Sequence, residues 1–385
     1  MRIAFVANPA IGHVLPLLPL AIASRDAGHD VAVAGGASVG AAISAVGLRH
    51  VDAGPPDLPT VFAQVPERNG LTGRALALVT WRRAFAGILA ESMAAGVLDL
   101  ARSWQPDLVV HEDSEQGSWI AAERLGVPHV ALQATAWRGT LVRASQRPLG
   151  QLRARYGLAE DPQLERWFAD GYLTTRPPSL RHPDERMPAS ARPIRPVASD
   201  EAIAETPAWV ARRAASARRV VITLGTAVPD RAATLAPLAA AFADLDAEVV
   251  VTTGPGIDTG ALGSVPPNVR VETYVPMSRL LPTCDVVAFH GGSGTMLAAL
   301  AAGVPLVVMP VAADQPDNAD RCVAAGVGVA LGPRDRDPVS VRRAVDLVLG
   351  TPSYRAAARR LRDEINAMPD PASVVPFLES LARGS

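Results

Sequence analysis

A chain of 385 residues is too long for one ordinary domain and suits two of about 150–200 each; its 49% hydrophobic residues let both bury full cores. The formal net charge of −1 is spread along the chain, which argues against nucleic-acid or anionic-membrane partners, since these need a basic stripe. All 37 residues counted as Lys plus Arg are arginine, so Schiff-base chemistry on lysine and a P-loop lysine are excluded.

Richness in Ala, Pro, Gly and Arg is the composition of a GC-rich bacterial genome. The two cysteines, Cys284 and Cys322, form no C-x-x-C pattern and read as reduced cytosolic thiols. The apolar run from Val14 to Ala23 is broken by Pro16 and Pro19 and preceded by Asn8, Pro9, Gly12 and His13, which suits a strand-loop-helix start better than a secretion signal. No stretch reaches the ~18 apolar residues that span a bilayer. A cytoplasmic protein without a membrane span is the expectation.

In chain order, Ile3 to Ala7 reads as a buried strand, followed by a helix from about Leu15 to Ala27 and a second strand from Val31 to Ala34. Strand, helix, strand is the βαβ unit of a parallel sheet. Residues 55–73 have Pro and Gly without a period and read as a loop; the following stretch to Arg102 reads as helical. The pattern then repeats: a strand from Asp107 to Val110, a helix from Gly117 to Leu125 and a strand from His129 to Leu132. The Pro- and Arg-dense segment 176–196 can continue neither a helix nor a central strand. A linker is placed at its end, about 197–206. Strands at Val220 to Thr223, Glu248 to Thr252, Val286 to Phe289 and Leu306 to Met309 then restart the alternation. The expectation is α/β: two Rossmann-like parallel-sheet domains, 1–200 and 207–385, facing a cleft, with ligands beyond the carboxyl ends of the strands.

The sharpest local signal is His290-Gly291-Gly292-Ser293-Gly294-Thr295. It follows a strand directly and opens a helix, so its small residues let backbone N–H groups converge on an anion at the positive helix end. A diphosphate held without lysine, aided by His290 and Thr295, fits this chemistry. The dinucleotide fingerprint G-x-G-x-x-G is absent after the first strand, and no G-x-S-x-G elbow of a serine hydrolase is present. The second signal is Gly12-His13 after the first strand, where a histidine can act as general base near neutral pH. His111-Glu112-Asp113 ends a neighbouring strand, and a carboxylate there could hold the imidazole's second N–H. Because strand residues alternate faces, Glu112 and Asp113 should not point the same way; local pattern leaves Glu112, Asp113 and Glu115 as alternatives. Asp335-Arg336-Asp337 spells D-x-D but sits in a Gly-Pro-flanked loop and reads as a solvated turn. No metal-ligand spacing is found.

These residues together resemble the nucleotide-sugar glycosyltransferases of the GT-B fold, in the inverting, metal-independent branch that decorates macrolide and aromatic polyketide natural products in bacteria of actinobacterial type. The resemblance covers essentially the whole chain: Ile11 to Pro16 looks like the family's start, and Tyr274-Val275-Pro276, His290 to Thr295, Gly303-Val304-Pro305 and Asp314-Gln315 look like its donor signature. It implies His13 as the base, with the partner aspartate's place, counted back from Leu125-Gly126, taken by Glu112, one methylene longer. It implies that Thr226, His290, Gly292, Ser293, Gly294 and Thr295 hold the diphosphate, that Tyr274 lies against the nucleobase while the Val275 backbone bonds its edge, and that Asp314 and Gln315 bind sugar hydroxyls. Gly254, ending its strand, joins the donor candidates. Phe62, Trp81, Phe85, Thr135 and Trp137 are the acceptor-side candidates. Relatives that use UDP-glucose carry a glutamate eight positions after the donor histidine; here that position is Ala298, which favours a dTDP-sugar. The resemblance implies no cofactor or metal, a small apolar acceptor, a monomer or homodimer, and a last helix able to pack back on the first domain. A nucleotide-sugar 2-epimerase and a non-catalytic partner of a transferase share this plan; the latter should have lost His13 or His290, and both remain.

Overall fold

A computed structural model describes residues 1–136, 139–183, 185, 187–198, 200, 204–212, 218–225 and 230–384. The chain forms two compact units: residues 1–176, 183–197 and 368–385 make the first, and 177–182 with 198–367 the second. The chain thus leaves the first unit near the expected linker and returns at 368, so that the last helix, Pro371–Arg383, belongs to the first unit.

The first unit is a seven-stranded, fully parallel sheet. Its strands are β1 (Arg2–Val6), β2 (Asp30–Gly35), β3 (Arg49–Asp52), β4 (Leu108–Glu112), β5 (His129–Leu132), β6 (Tyr172–Thr174) and β7 (Ala191–Pro193), in the order β3-β2-β1-β4-β5-β6-β7. Such a sheet must be covered on both faces. Ala4 and Val6 of β1 pack with Ala90, Met93, Ala94 and Val97 on one side; Ile3 and Phe5 pack with Leu17, Leu18, Val374 and Val375 on the other. The Pro-rich segment supplies β7, and Pro193 is tolerated there because β7 is an edge.

Three local expectations are corrected. The first helix begins at Ile11 and runs only to Val14; a second spans Leu18–Asp26. Pro16 lacks the N–H that would continue the ladder, and Pro19 sits in the second helix's first turn, where no N–H is needed. Residues 55–73 are not all loop, because Asp57 accepts from the Thr60 N–H and caps a helix over Leu58–Ala63. The helical run Gly73–Trp104, which includes a π-helical stretch over Thr80–Leu89, is long and apolar enough to cross a bilayer by length and composition, and half of its most apolar window is buried. Its inward residues form the core just described, so its apolarity is that of a core helix.

The second unit is a six-stranded parallel sheet of β8 (Arg219–Thr223), β9 (Glu248–Thr252), β10 (Val269–Glu272), β11 (Val286–Phe289), β12 (Leu306–Val308) and β13 (Gly328–Ala330), ordered β10-β9-β8-β11-β12-β13. In both sheets the strand order reverses beside the first strand of the unit, between β1 and β4 and between β8 and β11. That reversal opens a crevice outside the carboxyl ends of the strands.

Candidate active site

In the first unit the reversal point brings His13 and Glu112 together. Val6 and His111 are register partners on β1 and β4, so the turn after β1 and the last residue of β4 end side by side. The His13 Nδ1 lies 2.9 Å from Glu112 Oε1, with the histidine side chain 18% exposed and the glutamate fully buried. Glu112 Oε1 also accepts from Asn8 Nδ2 at 2.7 Å, and Oε2 accepts from the Ser114 N–H at 2.7 Å. The Ser114 hydroxyl lies 2.9 and 2.8 Å from the two carboxylate oxygens. Burial pushes the Glu112 carboxyl up, but the His13 charge and the bonds from His13 and Ser114 outweigh it and hold the pKa below its ordinary value. A buried carboxylate acceptor requires the proton of His13 on Nδ1, which assigns the lone pair to Nε2.

The neighbouring acids have other work. Asp113 points to the opposite face of β4 and accepts from the Ala134 N–H at 3.1 Å and from the Thr135 N–H and hydroxyl at 3.3 Å. Burial and the Glu112 charge raise its pKa to about 7. Glu115 takes the Gly117 N–H at 2.7 Å and the Ser118 N–H, closing the amino end of helix Ser118–Leu125. Of the three carboxylates, only Glu112 is bonded to His13 among the described residues.

Phe85 lies beside the dyad, its ring centroid 6.0 Å from that of His13, with Trp81 stacked on it at 5.5 Å and Phe62 at 6.4 Å. All three rings are half-buried. The Trp81 Nε1–H donates to Ser145 Oγ at 2.7 Å, fixing the indole. The expected acceptor-side residues therefore form one aromatic wall, and Thr135 stands apart from it on Asp113. Trp137 lies outside the described residues.

In the second unit the equivalent reversal point holds the glycine-rich turn. Phe289 and Thr223 are register partners, so His290 emerges beside Gly225. A Cβ on Gly225 would lie 2.4 Å from the His290 ring, and one on Gly292 would lie 2.6 Å from its Nε2. Two missing side chains thus seat the imidazole. Burial lowers the His290 pKa to about 4 against the opposing charge of Asp314, so the ring is neutral at pH 7. Its Nδ1 is buried with no hydrogen-bond partner among the described residues.

Helix Ser293–Ala301 starts at the N-cap Gly292, which offers no side chain to the first amides, so the N–H groups of the first turn point outward with the positive end of the dipole. Ser293 Oγ donates to Asp314 Oδ2 at 2.7 Å, and Asn318 Nδ2 donates to Gly291 O at 2.7 Å and to Asp314 Oδ2 at 3.2 Å. Gln315 Oε1 accepts from the Val311 and Ala312 N–H groups at 2.7 and 2.9 Å, holding the loop after β12. Gly294 is exposed and Thr295 half-buried at the turn's mouth. Gly254, at φ +78, lies in the loop just after β9, close to Gly225. Val275 is buried, while the half-buried Tyr274 donates its hydroxyl to Asp200 at 3.2 Å. Thr226 lies outside the described residues.

Asp337, the end of the D-x-D triplet, accepts from the Val339 and Ser340 N–H groups at 3.0 Å and caps helix Pro338–Gly350. No group of three or more His, Cys, Asp or Glu placed to hold a metal occurs among the described residues. Sequence reasoning missed Asn8, Ser114, Gly225 and Asn318. Asn8, Ser114 and Gly225 are unremarkable polar or small residues in loops or turns and Asn318 lies in the helix Gln315–Ala324; only the three-dimensional neighbour gives each its meaning.

Two parallel α/β units, one ending in a histidine–carboxylate pair and the other in an anion-ready glycine turn, define the GT-B class of sugar transferase. A family model described as the N-terminal domain of erythromycin biosynthesis protein CIII-like proteins matches residues 22–225, and its C-terminal counterpart matches residues 236–381. The chain belongs to this family of natural-product glycosyltransferases. It is 34% identical to elloramycin glycosyltransferase ElmGT of Streptomyces olivaceus, over 99% of this chain and 97% of that one. The structure is similar to glycosyltransferase SnogD from Streptomyces nogalater, with a TM-score of 0.79, 35% identity and 99% of both chains covered. It is likewise similar to glycosyltransferase SsfS6 of Streptomyces sp. SF2575 complexed with thymidine diphosphate, with a TM-score of 0.81, 31% identity and 99% of both chains covered.

Proposed function

We propose that the chain transfers a sugar from a nucleoside diphosphate, with dTDP preferred, to a hydroxyl of a small apolar natural-product acceptor, with inversion and without a metal. The observation that carries the reading is the His13–Glu112 pair, 2.9 Å apart, beside the aromatic wall of Phe62, Trp81 and Phe85. An apolar acceptor is held by such a wall, and its hydroxyl proton goes to His13 Nε2 while Glu112 stabilises the imidazolium that forms. The oxygen attacks the anomeric carbon as the bond to the diphosphate breaks, inverting that carbon. The leaving diphosphate's charge is received by the amides of Ser293, Gly294 and Thr295 and by the His290 imidazole. Asp314 and Gln315 bind the sugar and Tyr274 and Val275 the base, with Gly254 and Thr226 beside the phosphates.

Support for dTDP comes from Ala298, where no carboxylate is available to pair a ribose 2′-hydroxyl, and from the thymidine diphosphate bound by SsfS6. A cytoplasmic site of action suits the reduced thiols and the nucleotide sugar. A thermal-shift panel of nucleotides and nucleotide sugars tests the donor side, because a ligand that binds the native fold raises its melting temperature. The expected order is dTDP above UDP, followed by faster turnover of dTDP-glucose than of UDP-glucose against an acceptor panel; a strong UDP preference refutes it. His13→Ala should lower kcat by about 10²–10⁴-fold, and an unchanged rate at saturating substrates removes His13 as the base.

A further inference from the structure

Glutamate at position 112 has one more rotatable bond than the aspartate expected there, so its carboxylate needs more than the strand to aim it. Four donor groups converge on it: Asn8 Nδ2, His13 Nδ1, and the Ser114 N–H and hydroxyl. Asn8 Nδ2 reaches Oε1 at 2.7 Å and also touches Ser114 Oγ at 3.2 Å. The Ser114 N–H reaches Oε2 at 2.7 Å, and its hydroxyl spans both oxygens while lying 3.1 Å from His13 Nδ1. Asn8, Glu112 and Ser114 are all buried. The carboxylate accepts only, so the Asn8 amide must present its nitrogen; its Oδ1 is turned away, buried and without a partner among the described residues.

We propose that Asn8 and Ser114 are positioning residues of the His13–Glu112 pair: from the turn after β1 and the turn after β4 they clamp the longer carboxylate so that Oε1 faces His13 Nδ1 and keeps the proton there. The inference rests on His13 being the base. The Ser114 hydroxyl has one hydrogen; giving it to Oε2 leaves its lone pairs toward Asn8 Nδ2 and the His13 Nδ1–H. Each atom of the cluster then has a role that agrees with its neighbours, and the reverse tautomer of His13 would set two lone pairs against each other at 2.9 Å.

The test uses the full-length chain labelled with 15N-histidine, His13 being assigned by the signal lost in His13→Gln. Above its titration the wild type is expected to show the Nδ1–H form, and Asn8→Ala/Ser114→Ala a mixture with Nε2–H. In transfer from dTDP-glucose to whichever acceptor the wild type turns over, each single change should lower kcat about tenfold and the pair about a hundredfold, the factor for a hydrogen bond to a charged group. KM for dTDP-glucose should stay unchanged and Ser114→Thr should restore the rate. If Asn8→Ala fails to fold, Ser114→Ala alone carries the same comparison. A folded double variant with the wild-type nitrogen signature and rate overturns the proposal. Should His13→Gln prove fully active, the base assignment fails instead, while the nitrogen spectra of the Asn8 and Ser114 variants still decide the clamp.

Discussion

Glu112→Gln separates the charge and tautomer demands of the dyad from its packing. The carboxamide keeps the shape of the side chain but offers one acceptor oxygen and one NH2 where four donors converge: Asn8 Nδ2, His13 Nδ1, and the Ser114 N–H and hydroxyl. The Ser114 backbone N–H, 2.7 Å away, cannot turn, so the amide oxygen must face it and the NH2 must face Asn8 and His13. Asn8 can answer by flipping its amide, since Oδ1 has no partner to lose among the described residues. His13 can answer only by accepting at Nδ1, which moves its proton to Nε2 and removes the lone pair that takes the acceptor's proton. The expected result is a fall in kcat of about 10²–10⁴-fold, the full contribution of a general base, with KM for the nucleotide sugar and the melting temperature near wild type. Initial rates at saturating donor and acceptor, with a thermal melt on the same samples, provide the measurement. A kcat within threefold, on the order of RT or less in barrier, would refute the reasoning.

Gly225→Ala puts a methyl 2.4 Å from the His290 ring at φ +63. Left-handed strain of about 1–2 kcal/mol and overpacking of about 1–3 kcal/mol add, so denaturant melts should show a loss of about 2–5 kcal/mol and calorimetry weaker dTDP binding. Asp113 has its folded pKa raised to about 7 from 3.8, by burial and then by the Glu112 charge. The native state therefore binds the extra proton between these values, and stability falls as pH rises from about 4 to 7. Asp113→Asn, which keeps an oxygen for the Ala134 and Thr135 donors, should flatten that decline; an unchanged slope in denaturant midpoint against pH would refute the assignment. The buried His111 and His129 act in the opposite direction, burial lowering them to about 3 and about 4. Stability should fall as pH drops from about 6.5 toward 4, and His129→Gln should lessen that loss in urea melts taken over the same range.

Much of this molecule was legible as periodicity. Unbroken runs such as Val220 to Thr223 and Val286 to Phe289 can only be central strands of a covered parallel sheet, because both their faces are apolar. The short strands β3, β6, β7, β10 and β13 escaped notice: all are three or four residues long, and all but the buried β6 carry exposed or proline positions that break the run. The helix over Leu58–Ala63 escaped for another reason: its Asp57 cap is a single side-chain bond within a Pro-rich stretch.

The sequence by itself determined the two-unit α/β plan, the histidine after the first strand and the glycine turn before Ser293. Each of these depends on residues adjacent in the chain, where hydrophobic period and turn chemistry act directly. Which acid meets His13, what aims it, and why two glycines flank His290 were decided only by tertiary structure. Those contacts join residues about a hundred positions apart on β1 and β4, or 65 apart across β8 and β11, and it is the parallel register, fixed by the packing of both sheet faces, that brings their ends together.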